Sequence, residues 1–156
     1  MKQRFIRFNI LWYALVIVLY LLLVFPIYSS IGYSYPFYLV MLYFVFFSGV
    51  SVHLLFFLEY SDTFKKIYLK GVFIFLVPFI LLLLIDNYIQ FVGFGENFGY
   101  QSILQNLNPN DQLSLSNYIR NSTLFFAVVS IIGVGLIPIK MIRSIWRQRR
   151  NELLKN

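Results

Sequence analysis

An all-α, polytopic membrane protein with four transmembrane helices is the fold class that three features of this sequence predict. Hydrophobic residues make up 60% of the 156-residue chain and charged residues only 12%, where a soluble domain carries roughly a quarter charged residues. The apolar residues fall into four blocks, each close to the ~20 residues a helix needs to cross a bilayer. Lys and Arg gather at alternate ends of those blocks, as they do beside membrane spans. The expected arrangement is a helix bundle forming one domain over 1–156, with spans at 10–28, 36–58, 67–85 and 122–142. An outer segment, 86–121, separates the last two spans, and a basic tail, 143–156, ends the chain.

The lead-in MKQRFIRFN places Lys2, Arg4 and Arg7 before the first apolar run, with Phe5, Phe8 and Trp12 at helical spacing for an interfacial lie. Ile10 to Tyr28 is then free of charge. Pro26, Tyr28 and Ser29 follow it without the small-residue cleavage pattern of a signal peptide, so a retained span is expected. SSIGYSY (29–35) is a short uncharged reversal, and Pro36 should open the second helix, at the position where proline is best tolerated. In the connector EYSDTFKKIYLK (59–70), Ser61 or Asp62 is expected to cap the third helix. Pro78 and Pro138 each remove a hydrogen bond, to the carbonyls of Ile74 and Val134, so bends are expected in spans three and four.

Charge sets the expected orientation. The N-terminus holds three Lys/Arg, the middle connector three (Lys65, Lys66, Lys70) and the tail six (Lys140, Arg143, Arg147, Arg149, Arg150, Lys155), against Arg120 alone on the other side. The positive-inside rule therefore puts both termini in the cytoplasm. The preference for Ile, Leu, Phe, Tyr, Asn and Lys suggests an AT-rich bacterial genome, and with it a bacterial cytoplasmic membrane.

The outer segment has its own pattern. Phe91, Phe94, Phe98 and Tyr100 alternate with Gly93, Gly95 and Gly99, and Tyr100, Ile103, Leu104 and Leu107 follow at i, i+3, i+4 and i+7. That spacing predicts a short amphipathic helix lying on the membrane or over the mouth of the bundle. Asn108-Pro109-Asn110-Asp111 reads as a turn, and Ser114 or Ser116 as the cap of the helix entering span four. Phe91, Phe94, Phe98, Tyr100, Ile103, Leu104 and Leu107 are thus the candidate partner contacts; the alternative is a loop that only joins two helices.

Within the spans, Ser48, Gly49, Ser51 and His53 form the most polar patch. An ionisable group inside the membrane suggests proton transfer or substrate contact. The competing account is that small residues admit a neighbouring helix and His53 donates one interhelical hydrogen bond; the absence of a carboxylate within the spans favours it. Ala127, Ser130, Gly133 and Gly135 make a similar small-residue surface on the fourth span. Arg143, Arg147, Arg149 and Arg150 are candidate contacts for anionic lipid headgroups. Asp86, Glu96 and Asp111 bring carboxylates to the outer side, but no spacing among them supports catalysis.

Several chemistries are excluded outright. The chain has no cysteine, which removes disulfide, thiol and Cys-ligated metal chemistry, and its single histidine removes bis-His haem ligation. No cofactor or metal is called for. Small multidrug exporters need a carboxylate in the first span, and aspartyl lipoprotein-processing peptidases need paired acidic motifs; neither is present. The net charge of +7 is explained by topology rather than by nucleic acid. In architecture alone the chain resembles the immunity proteins that protect bacteria from pore-forming bacteriocins, which are small, basic and multi-span. The expected role is that of a non-enzymatic protein acting through protein–protein contacts, as an accessory subunit or an immunity-type partner. The expected partners are membrane lipids and either another membrane protein or further copies of itself. The alternative is a small oligomeric transporter or channel using the patch around His53.

Overall fold

The computed structural model describes residues 2–57 and 67–153, and the side chains of 7–57 and 67–151. Four long α-helices follow one another: α1 (Lys2–Ile31), α2 (Tyr38–Phe57), α3 (Ile67–Asn97) and α4 (Pro109–Leu153). No strand occurs among the described residues. Each helix is long and apolar enough to cross a membrane, so the protein is membrane-embedded. The proposed cap at Ser61 or Asp62, and the connector cations Lys65 and Lys66, lie outside the described residues.

Packing is uneven. The central pair is α2 against α4; α1 seats on the free side of α2 and α3 along α4. On α4, Ile119, Thr123, Ala127, Ser130, Val134, Ile137 and Met141 are all buried, at steps of three or four that keep one stripe on the inner face. On α3 the buried residues are Lys70, Val77, Leu84 and Phe91, a strict seven-residue spacing that returns to the same face every two turns. α1 buries little, with Val16 and Ile27 as its innermost side chains. The apolar surfaces of α1 and α3 that remain exposed, such as Leu22, Phe25, Phe75 and Leu82, are the faces that acyl chains cover.

The helices extend past the apolar runs. α3 continues beyond Ile85 to Asn97, and α4 starts at Pro109, well ahead of Ser122. Most of the segment 86–121 is therefore two helix ends joined by a tight link. Asn108–Asp111, read as a turn, is the start of α4: Gln112 N–H donates to Asn108 O at 2.9 Å, and Pro109 takes the first helical position, where its missing N–H costs nothing. Asp111 in that first turn faces the positive end of the helix dipole. Ser114 and Ser116, expected as caps, sit inside the helix, and Ser116 Oγ bonds back to Leu113 O. Between the two helices the expected amphipathic α-helix is a 3-10 helix over Tyr100–Leu104. Gly99, at φ +72, turns the chain, and too few residues then remain before Pro109 to close several α-helical turns.

At the other hairpin, α1 carries Pro26 within it and runs on to Ile31, where a 3-10 turn (Gly32–Ser34) reverses the chain with Gly32 at φ +57. Pro36 precedes α2 instead of opening it, and the first bond of that helix runs from Met41 N–H to Phe37 O. The expected bends have their prolines in place: Pro78 and Pro138 lie inside unbroken helices.

Tyr35 is buried in this corner beside Thr123 of α4, and among the described residues neither hydroxyl makes a well-formed hydrogen bond. Burial pushes the Tyr35 phenol well above its ordinary pKa, with the Thr123 hydroxyl pulling it partway back. A buried hydroxyl whose one neighbouring hydroxyl is too poorly placed for a good hydrogen bond is a standing cost. Tyr35→Phe is therefore expected to raise stability by about 1 kcal/mol, measured by thermal unfolding in detergent; a loss of that size would show that the phenol has a water or protein acceptor.

Candidate functional site

Two regions gather the candidate residues, one at each end of the helices. The loop end, where α3 passes into α4, is held by aromatic contacts. Phe37, just before α2, sets its ring edge-on against Phe91 at 5.3 Å and Phe94 at 5.1 Å. Tyr100 stacks on Phe91 at 4.9 Å and donates its hydroxyl to Phe91 O at 3.2 Å. This closeness needs Gly95: a Cβ there would meet the Tyr100 ring at 2.3–2.5 Å. Ser102 N–H and Oγ both bond Gly99 O, Leu107 N–H bonds Leu104 O, and Gln112 Nε2 bonds Leu107 O. The link from Phe98 to Asn108, which caps this end, is thus pinned to both helices.

The seven residues expected to meet a partner divide. Phe91 and Leu104 are fully buried and hold the cap down from inside. Phe94, Tyr100, Ile103 and Leu107 are half-buried. Phe98 is 69% exposed, although its backbone is fixed by a bond from its N–H to Phe94 O at 3.0 Å. Beside it a cleft of about 630 Å3 opens between α3 and α4, bordered by Tyr88, Glu96, Phe98, Asn117, Arg120 and Leu124. The Tyr100 phenol forms part of its wall. Burial raises that phenol's pKa; the charge of Arg120 draws it down, while Glu96 and Tyr88 push it further up.

At the terminal end, the patch Ser48, Gly49, Ser51 and His53 is a packing seam. Ser48 Oγ and Ser51 Oγ bond back to the carbonyls of Val45 and Phe47 on their own helix. Gly49 lies under Val16 of α1, and its carbonyl accepts the Trp12 indole N–H at 3.0 Å. Ser51 faces Gly133 of α4, where a Cβ would come within 2.6 Å of the serine Cβ. Ala127, Ser130 and Gly133 thus belong to the internal seam, whereas Gly135 is exposed with open space around it.

His53 is buried, with Nε2 3.0 Å from Asn9 Oδ1. An amide oxygen only accepts, so that ring nitrogen carries the proton. The imidazole is boxed by Phe8, Trp12, Tyr13 and Phe57, at centroid distances of 5.7–6.2 Å, and its Nδ1 has no hydrogen-bond partner among the described residues. The arrangement ties α1 to α2. Asn9 had no assigned role in the sequence, because a contact 44 residues away leaves no local periodicity to read.

Lys70, a topology marker by sequence, is only 4% exposed. Its ammonium donates to Ser144 Oγ at 2.9 Å and Gln148 Oε1 at 3.3 Å on α4. Farther along α4, Arg143, Arg147, Arg149 and Arg150 line a concavity of about 530 Å3 with Trp146, whose ring is largely exposed. No group of three His, Cys, Asp or Glu able to hold a metal ion occurs among the described residues.

No protein-family model, curated protein sequence or solved structure matches the chain.

Proposed function

We propose that this is a non-enzymatic integral membrane protein that acts by binding another membrane protein through the cap at its loop end, as an accessory subunit or an immunity-type partner. The observation that carries this reading is Phe98: a large aromatic side chain left exposed on a backbone that Phe91, Tyr100 and Gly95 hold in place. A rigid aromatic pays little conformational entropy on binding, which is why such residues dominate binding energy at interfaces. Ile103 and Leu107 are half-buried against the core, so Phe98 is the leading contact. The packing of the Ser48–His53 patch supports this reading over transport, because its small residues are used to bring helices together.

In this reading the four helices form a bundle, and the segment from Asn97 to Pro109 is its outer cap. The Lys/Arg distribution supports both termini in the cytoplasm, and the chain resides in a bacterial cytoplasmic membrane. The arginines around Trp146 rest against anionic headgroups of the inner leaflet, each contributing about 1 kcal/mol near the surface.

The test is gentle extraction of a tagged chromosomal copy, native-gel sizing and identification of co-purifying proteins. A stoichiometric partner is expected. Phe98→Ala should weaken its retention by at least about tenfold, the size of effect typical of a central aromatic anchor, while thermal unfolding changes little, because the ring is 69% exposed and the contact it loses is with the Phe94 ring. A homo-oligomer without a partner, or retention indifferent to Phe98→Ala, overturns the reading.

A further inference from the structure

The cleft beside the cap holds two opposite charges that are not paired. Glu96 ends α3 and Arg120 lies on α4, both exposed, and both border the same space. Neither makes a hydrogen bond or an ion pair among the described residues. Both act on the Tyr100 phenol, with opposite sign, so they flank one wall of the cleft. Tyr88, Gln101 and Asn117 add polar groups to the lining, and Val92 and Leu124 add apolar ones.

The depth of the cleft is marked by the sequence. On α3, Asp86 is the first charge after Lys70; on α4, Arg120 is the last before Lys140. The cleft begins where these two charge-free runs end, which is where the headgroup region of a bilayer is expected to lie. Its lower lining, Leu124 and Tyr88, continues toward the acyl region.

We infer that this cleft binds the headgroup of a zwitterionic phospholipid bearing a primary ammonium, such as phosphatidylethanolamine. The phosphate would accept charge-assisted hydrogen bonds from the Arg120 guanidinium, and the ammonium would donate to the Glu96 carboxylate. An anionic headgroup would satisfy Arg120 but place its net charge near Glu96, and a choline headgroup has no N–H to give that carboxylate. Phe98, two residues from Glu96, lines the same cleft and adds an aromatic side chain near the place of the ammonium. The acyl chains would follow Val92 and Leu124 toward the membrane, which a soluble zwitterion has no means of using. The inference does not depend on the existence of a protein partner.

Native mass spectrometry of the full chain, purified and exchanged into micelles containing equal amounts of phosphatidylethanolamine, phosphatidylcholine and phosphatidylglycerol, tests it. The wild type is expected to retain phosphatidylethanolamine about tenfold over either competitor, the gain of one charge-assisted hydrogen bond. Glu96→Gln should bring phosphatidylethanolamine down to the level of phosphatidylcholine, and Arg120→Gln should remove retention of both. Free phosphoethanolamine should fail to displace the bound lipid. Because both side chains are exposed, unchanged thermal unfolding of each variant is the control for folding. Equal retention of the three lipids by the wild type, variants that retain phosphatidylethanolamine as the wild type does, or displacement by the free headgroup would each overturn the inference.

Discussion

Gly49→Ala and Gly133→Ala are each expected to destabilise the purified protein by about 1–3 kcal/mol, the cost of forcing a methyl group into a filled interface. A Cβ at Gly49 would lie 2.4 Å from Val16 Cγ2 and 3.0 Å from Cγ1. Valine is branched at Cβ and stiff, so it cannot swing aside; α1 would have to move away from α2. That movement would also lengthen the 3.0 Å bond from the Trp12 indole to Gly49 O. At Gly133 the neighbour is Ser51 Cβ itself, 2.6 Å from the new methyl. A Cβ moves only with its backbone, so α2 and α4 would separate. Unfolding by graded denaturing detergent, followed through tryptophan fluorescence, measures both effects. Val16→Ala should restore much of the loss at Gly49, and Ser51→Gly much of that at Gly133. If Gly49→Ala melts like the wild type, Val16 of α1 does not seat on Gly49.

The second large effect concerns Lys70. Replacing Ser144 by Ala together with Gln148 by Leu removes both acceptors of an ammonium that is 4% exposed. Stripping a buried charge of its partners costs about 3–5 kcal/mol, so this pair of substitutions should be among the most damaging available on α4. Adding Lys70→Met should reverse most of that loss, because an apolar side chain of similar length needs no acceptor and fills the same place in the seven-residue stripe with Val77, Leu84 and Phe91. Lys70→Met alone should cost little. The comparison separates a buried cation from a packing effect, since a merely steric role for Ser144 and Gln148 would not be relieved by removing the charge. Failure of Lys70→Met to rescue would mean that Ser144 and Gln148 act by packing, and a harmless Ser144/Gln148 pair would mean that the ammonium reaches another acceptor.

Much of the chain was readable in advance, for reasons visible in particular residues. Charge-free, largely apolar runs such as 71–85 and 121–139 admit only structures that satisfy their own backbone hydrogen bonds, and a helix is the local solution. The four helices followed from that. Their ends were harder. Asn108-Pro109-Asn110-Asp111 has the composition of a turn and of a helix start alike, and only the bond from Gln112 N–H to Asn108 O distinguishes them. Phe91 and Leu104 carry the same apolar signal as Phe98, yet two are interior and one is not. The inner stripe of α3 was likewise hidden: its neighbours facing lipid are also Leu, Ile and Phe, so the contrast that marks a buried face in water is erased.

By itself, then, the sequence determined that this is a four-helix membrane protein without cysteine chemistry, because chain composition and the bilayer between them leave little choice of backbone structure. Tertiary structure alone decided which residues meet. It turned the Ser48–His53 patch into a seam, drew Asn9 to His53 and Lys70 to Ser144, and set Glu96 and Arg120 in one cleft. Those pairings depend on how far each helix slides and rotates against its neighbour. Such shifts are set by a few glycines and buried polar groups acting over tens of residues of separation, a distance at which local sequence pattern carries no record.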